Sequence, residues 1–278
     1  METEASKQNV TSNLKIDYFA DGEVVFSSGD SSNKKIYFIL DGHVTVKRDG
    51  FSPSYTNVIH KGSYFGELSL INSFPRNETI TVSSGYARIV SLVADDFSSA
   101  IKVNKQMLKK LLDSSNDRYN FAVAYYLERR TEVLQMNTNI TELNQIRKKT
   151  IEITEKIHTP SNMYHDDKSV IFRENDLTKG SFHIVEKGQV TTKRKHNDRG
   201  DYIGILCHEE GDIIGEQAYF GLETRRERAI VTSGRVKLRE INKSAFEKLI
   251  NIHTDFYVNF IKVMLWKSYV LEQKIKSI

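Results

Sequence analysis

Cysteine is almost missing from this 278-residue chain, with Cys207 standing alone. A single thiol excludes an intramolecular disulfide and any cysteine zinc cluster, and it points to a reducing compartment. Proline is nearly as scarce, at 3 residues, so no proline-rich linker is expected. No run approaches the roughly 18 apolar residues that span a bilayer, and the apolar patch FYVNFIKVMLW is short and carries Lys262. The opening METEASKQNVTSNLKIDYF has no apolar core of the kind a secretory signal needs. The eight histidines show no HExxH spacing, and no GxxxxGK[ST] loop occurs. Neither catalytic residues nor metal ligands nor a cofactor are therefore expected, and the protein is read as cytoplasmic and not an enzyme. A formal net charge of +4 is mild and argues for neither nucleic acid nor membrane insertion.

What the sequence does contain is a repeat, found by looking for internal self-similarity. YFADGEVVFSSGD matches YHDDKSVIFREND at a shift of 146, setting Tyr18 on Tyr164 and Phe26 on Phe172. At the same shift Gly42 falls on Gly188 and Lys47-Arg48 on Lys193-Arg194. At a shift of 149, FGELSLINSFPRNETITVSS meets IGEQAYFGLETRRERAIVTS without a gap. About three extra residues are then needed between KRKHNDRGD and HEEGD. The chain reads as a tandem duplication.

Each repeat reads as short strands followed by helix. EVVF, KIYFIL, HVTVKR, TNVIH, TITVSS and ARIVSLV are β-branched or aromatic runs bounded by turn signals. LDGH is a hairpin signal, with Asp-Gly supplying a positive φ. The expected class is mainly β with helices (α+β), as two antiparallel β-roll or jelly-roll barrels with flanking helices. The expected organisation is a loose tail at 1–15, a first domain at 16–113 and a helical connector at 114–161. A second domain follows at 162–250, then a C-terminal helix at 251–278. ADDFSSAIKVNKQMLKKLL shows helical spacing at Phe97, Ile101, Met107, Leu108, Leu111 and Leu112. YNFAVAYYLERRTEVLQ reads as a second helix. A third carries Leu143, Ile146, Thr150, Ile153 and Ile157 at three-four spacing, which suits either packing on its own domain or a short coiled-coil seam. Pro160 closes the connector, and the C-terminal segment reads as one long amphipathic helix.

The two segments resemble the cyclic nucleotide-binding domain family, which includes regulatory subunits of cAMP-dependent protein kinase and bacterial cAMP-receptor transcription factors. The resemblance rests on GSYFGELSL…PRNET and GDIIGEQAY…TRRER, supported by ILDGHV and FSSGD. It implies an anion pocket in each repeat. A glycine lets backbone approach a ligand closely, and free amides at the start of the following short helix can face a phosphate. A carboxylate can accept from a ribose hydroxyl, and an arginine fork matches phosphate oxygens. The implied ligand-binding set is Gly66, Glu67, Leu68, Ser69, Arg76 and Asn77 in the first repeat. In the second it is Gly215, Glu216, Gln217, Ala218, Arg225 and Arg226.

The second repeat departs at Ile214 and Thr224, where the first has Phe65 and Pro75, and reads FREND in place of FSSGD. Both repeats place an acid, Glu78 or Glu227, two residues after the arginine, where the family carries small residues. That shared acid suggests a bond to a neighbouring strand or lid, and Arg226 and Arg228 are candidates to neutralise Glu227. Asn77 and Arg226 stand where cGMP-preferring relatives often carry Ser or Thr, so cAMP is expected ahead of cGMP. Lid candidates are Tyr119, Phe121, Tyr125 and Tyr126 for the first site, and Trp266 or Tyr269 for the second. No helix-turn-helix segment is expected after the last helix.

The resemblance implies a non-enzymatic receptor in signal transduction, relaying binding through helices to a protein partner or a homodimer mate. The alternatives are an interaction scaffold with degenerate pockets, or a receptor for another nucleotide such as a cyclic dinucleotide.

Overall fold

The computed structural model describes residues 15–52, 56–71, 75–93, 105–129, 141–155, 162–196 and 200–276. The expected tail at 1–14, Phe97, Ile101, Ile157 and Pro160 lie outside these residues. The chain divides into two compact units, Met1–Asp117 with Glu272–Ile278, and Arg118–Leu271.

The first repeat contributes eight strands: β1 (Lys15–Ala20), β2 (Val24–Phe26), β3 (Lys35–Asp41), β4 (His43–Arg48), β5 (Asn57–His60), β6 (Tyr64–Phe65), β7 (Glu78–Val82) and β8 (Tyr86–Val93). They pair into two antiparallel sheets, β1-β8-β3-β6 and β2-β7-β4-β5. The second repeat contributes β9 (Asn162–Asp166), β10 (Val170–Phe172), β11 (Ser181–Lys187), β12 (Val190–Lys195), β13 (Tyr202–His208), β14 (Ile213–Ile214), β15 (Arg228–Val231) and β16 (Arg235–Asn242). Its sheets, β9-β16-β11-β14 and β10-β15-β12-β13, repeat the same order. Two β-rolls result, as the alternation of the strands predicts.

Two irregularities are duplicated, while a third, between Thr192 and Lys193, occurs in the second repeat and not in the matching β4–β5 ladder. The ladder shifts register between Val24 and Phe26 and again between Ile39 and Asp41. The second repeat shifts at the matching places, between Val170 and Phe172 and between Val185 and Lys187. Each bulge turns the strand so that the following side chains keep facing the core. The three extra residues expected in a loop lengthen a strand instead: β13 has 7 residues and β5 has 4.

The cores correspond as well. Phe26, Ile39, Val44, Phe65, Ile80, Val82, Ala87 and Ile89 fill the first. Phe172, Val185, Val190, Ile214, Ala229, Val231, Val236 and Leu238 fill the second. The hairpin glycine is obligatory in both. Gly42 and Gly188 have φ of 83° and 86°, and a Cβ would run into the Tyr86 or Arg235 carbonyl.

Four helices complete the described chain: α1 (Lys105–Arg129), α2 (Thr141–Glu155), α3 (Lys243–Ile252) and α4 (Thr254–Lys276). α1 is continuous where the sequence suggests two helices; Ser115 lies buried within it, its hydroxyl turned back to the Leu111 carbonyl at 2.8 Å. α2 packs on its own unit. Leu143, Ile146, Thr150 and Thr154 are buried, and Asn259 donates to the Ile146 carbonyl at 2.9 Å and to the Thr150 hydroxyl. The C-terminal segment breaks at His253 into α3 and α4. α4 is not amphipathic across its middle: Val263, Met264, Leu265, Trp266, Lys267 and Ser268 are consecutive and all buried. β1 opens at Lys15, within the segment expected to be a loose tail, and pairs with Ser91.

Candidate functional site

Gly66 follows β6 and opens a short 3₁₀ helix, Glu67–Leu70, with a left-handed φ of 70°. An added Cβ would lie 2.8 Å from Arg76 Nη1, so glycine is required because the guanidinium lies directly over it. Arg76 is buried and gives four hydrogen bonds to the protein. Nη1 donates to the Gly66 carbonyl at 3.1 Å and to Ser69 Oγ at 2.7 Å. Nη2 donates to the Ser32 and Lys35 carbonyls at 2.9 and 2.8 Å. The guanidinium also rests 4.3 Å from the Phe26 ring centroid, a cation–π contact. Its backbone is pinned by Arg76 N–H to Asp30 O at 2.7 Å and Gly29 N–H to Arg76 O at 2.8 Å. Burial lowers the Arg76 pKa, with Tyr37, Glu78 and Glu67 working against that, and an arginine stays charged regardless.

The second repeat rebuilds this frame. Gly215, φ 72°, opens the 3₁₀ helix Glu216–Phe220, and a Cβ there would collide with Arg225. Arg225 N–H donates to Asp176 O at 2.8 Å, and Asn175 N–H to Arg225 O at 2.8 Å. Asn175 takes the place of Gly29 with φ of 71°, a conformation asparagine tolerates. FREND therefore does the structural work of FSSGD. The guanidinium sits 4.6 Å from the Phe172 ring. It gives fewer bonds, from Nη1 to Gly215 O at 2.7 Å and from Nη2 to Thr178 O at 3.4 Å. Ala218, which replaces Ser69, has no hydroxyl to offer.

The acids after the arginines have partners. Glu78 meets Arg48 of β4 at 3.3 Å, both buried. Arg48 also lies 3.7 Å from Glu272, which accepts from Asn77 Nδ2 at 2.7 Å. Glu227 accepts from the Tyr119 hydroxyl at 3.1 Å. Burial raises the Glu227 pKa, Lys267 opposes the rise and Glu216 reinforces it, with Arg194 a further opposing charge. The shared role of the two acids is thus a bond to a neighbouring element. The cations facing Glu227 are Lys267 and Arg194, in place of the Arg226 and Arg228 suggested by sequence. Burial pushes the Tyr119 phenol well above its ordinary value, and the Glu227 charge adds to it.

Glu216 is buried. Its Oε1 accepts from Lys267 Nζ, whose ammonium lies 4.8 Å from the Tyr119 ring. Its Oε2 has no hydrogen-bond partner among the described residues. Glu67 is equally buried, and its charge acts on Arg76.

The structure brings together Gly66, Glu67, Ser69 and Arg76, and likewise Gly215, Glu216 and Arg225, with Leu68 half-buried in the first 3₁₀ helix and Gln217 and Ala218 buried in the second. Three expectations change. The Ser69 and Ala218 amides turn back onto the Gly66 and Gly215 carbonyls, each at 3.2 Å, because a 3₁₀ turn uses those donors. The Gln217 side chain donates to Asn120 Oδ1 at 3.3 Å, a bond that does not involve its backbone amide. Arg226 is exposed between buried Arg225 and Glu227. Asn77 is buried and turns its side chain to Glu272. Among lid candidates, Tyr119 was assigned to the first site but stands against Glu227 of the second. Lys267 and Glu272 escape sequence reasoning, because neither lies within a repeated motif beside its partner. Arg48 and Tyr119 are visible in the sequence, Arg48 by its alignment with Arg194 and Tyr119 as a lid candidate, but nothing there marks either as the partner of an acid.

A buried guanidinium over a left-handed glycine, beside a buried carboxylate, suits a ligand with one anionic group and a nearby hydroxyl. The model of the cyclic nucleotide-binding domain matches residues 16–114 and 164–253, more than half of the chain. This chain belongs to the cyclic nucleotide-binding domain family. It is similar to a cAMP-dependent protein kinase regulatory subunit of Dictyostelium discoideum, 33% identical over 107 residues, which are 37% of this chain and 32% of that protein. It is also similar to a cGMP-dependent protein kinase of Plasmodium berghei, 29% identical over 137 residues, 49% of this chain and 13% of the other. The chain thus spans a third or less of the length of these relatives. Among solved structures, the regulatory domain of Toxoplasma gondii PKA with cAMP aligns over 91% of this chain and 87% of that chain. The identity there is 19% and the TM-score 0.32. No described helix of this tandem cyclic nucleotide-binding domain protein is long and apolar enough to cross a membrane.

Proposed function

We propose that this chain is a non-enzymatic receptor for a purine cyclic nucleotide, cAMP ahead of cGMP, that relays occupancy through its helices to a protein partner or a second copy. The observation that carries the reading is the second cassette, where Glu216 Oε2 is a buried carboxylate oxygen without a partner among the described residues. A buried acceptor of that kind is costly unless a donor reaches it. A ribose hydroxyl beside a cyclic phosphate is such a donor, and the phosphate suits Arg225. Asn77 and Arg226, in place of Ser or Thr, support cAMP. The names of the relatives support a kinase as the partner. The relay requires two helix arrangements that differ in ligand affinity.

Calorimetry with cAMP and with cGMP tests this. Two binding events are expected. Arg76→Ala should remove one and Arg225→Ala the other, each with about a hundredfold loss at its own site, the scale of a charge-assisted fork. No heat and no thermal shift from a protein verified as folded would overturn the receptor reading. A second reading, an interaction scaffold with closed pockets, draws on Arg76 already giving four bonds and on Lys267 holding Glu216. It predicts a stable oligomer by light scattering and no nucleotide binding.

A further inference from the structure

The floor of the second cassette holds a group that the first lacks. His183 on β11 occupies the position of Tyr37 on β3, by the shift that superposes Phe172 on Phe26. It pairs across the sheet with Ile214, the residue before Gly215, and on its other side with Glu240 of β16. Its ring stacks on Phe172 at 6.2 Å between centroids and 24° between planes. The same Phe172 carries the Arg225 guanidinium. His183 is buried, and its Nδ1 has no hydrogen-bond partner among the described residues. In the first cassette Tyr37 fills this place by stacking on Phe65 at 5.1 Å.

A buried imidazole with an orphan nitrogen, sharing one aromatic ring with a buried cation, is an unusual choice where tyrosine serves the other copy. The reason it is neutral is physical. Burial disfavours the imidazolium most, the Arg225 charge adds to that, Glu240 works the other way, and His165 on β9 adds a little more. Together these hold His183 down to about 4. Glu216, Glu240 and Asp176 in turn face Arg225.

We propose that His183 is a proton-linked residue of the second cassette, taking up a proton when an anionic ligand pairs with Arg225. This rests on the receptor reading above. An anion on Arg225 offsets the repulsion that adds to burial in keeping the imidazole neutral. The imidazolium then donates from both nitrogens and adds a second positive charge to the anion site. Its folded pKa is lower without ligand than with it. Binding therefore takes up a proton between the two values, and affinity climbs as pH falls through that window. The slope reaches at most about tenfold per pH unit. The first cassette, with Tyr37, has no such dependence. The second site thus answers to acidity as well as to nucleotide, and the first to nucleotide alone.

The test is calorimetry of the full chain with cAMP and with cGMP, between pH 5 and 7.5, in two buffers of different ionisation enthalpy. Unaltered protein should take up a fraction of a proton at one of its two sites, with affinity there rising as pH falls. His183→Phe, which restores an aromatic ring on the floor, should still bind at both sites but lose the proton uptake and the slope. His183→Gln gives the same comparison should the phenylalanine disturb packing. Binding at two sites with no proton uptake in unaltered protein overturns the assignment of His183 and leaves the receptor reading standing. The same holds for uptake that persists in His183→Phe. No heat at either site with either nucleotide overturns both.

Discussion

Arg76 gives four hydrogen bonds to its own protein, and Arg225 gives two. Their backbones are held by equivalent pairs of bonds, each rests on the equivalent phenylalanine, Phe26 or Phe172, and each lies over a left-handed glycine. The difference comes from few side chains. Ser69 supplies an acceptor that Ala218 does not, and Tyr37 with Phe65 makes an aromatic box where the second repeat has His183 and Ile214. The comparison teaches that a matched motif fixes where a guanidinium sits without fixing how much of it is left for a ligand. By letters alone the first cassette looks the better site, since it keeps Phe65, Pro75 and the glycine of FSSGD. By unmet polar capacity the order reverses, because the second holds the orphan oxygen of Glu216.

The comparison breaks most visibly in stability. Arg76→Ala should cost roughly 3 kcal/mol, because four acceptors lose a charged donor in a buried place. Arg225→Ala should cost about half as much. Urea denaturation of the two variants measures both, and equal losses would mean that the bond count has no energetic content.

A smaller effect separates the acids. The Glu227 carboxyl is held above the ordinary range in the folded chain, so the native state binds its proton more tightly than the unfolded state. Its contribution is complete below the unfolded carboxylate pKa and fades as pH rises through the folded value. Glu227→Gln keeps an oxygen for Tyr119 and removes the titration. It should flatten the stability profile above pH 4.5 and gain about 1 kcal/mol at neutral pH. An unchanged melting profile from pH 4 to 8 would contradict this. The smallest expected effect is Gly29→Asn, which copies Asn175. Gly29 has φ of 92° with nothing within 4 Å of an added Cβ, so the change should stay under about 0.5 kcal/mol. Gly29→Ala should cost about 1 kcal/mol, read from the same thermal melts.

How much of this the letters disclose depends on distance along the chain. The duplication, the strand order and the glycine-arginine pairs are legible because each rests on neighbours or on an ungapped echo. β1 is hard to see because its two inward positions, Asp17 and Phe19, are only half-buried while Ile16 and Tyr18 face out, so its apolar letters do not mark one face. The continuity of α1 is masked by Ser114, Ser115 and Asn116, poor helix formers that sit inside the helix, with Ser115 buried there. Lys267 and Glu272 are illegible for a different reason. Their partners lie 51 and 195 positions away, and nothing local marks a lysine or a glutamate as one that will be buried. FREND looked like a weakened FSSGD because glycine was missed, yet the requirement was for a left-handed residue, which asparagine also meets.

Moving a bulge by one residue would turn every side chain beyond it to the wrong face, so such a feature is hard to gain twice at the same place and hard to lose. The pairs at Val24/Phe26 with Val170/Phe172, and at Ile39/Asp41 with Val185/Lys187, therefore mark a frame common to both copies. Tyr37 and His183 differ on that common frame, so a change of side chain there alters what the cassette can do without moving the strands that carry it.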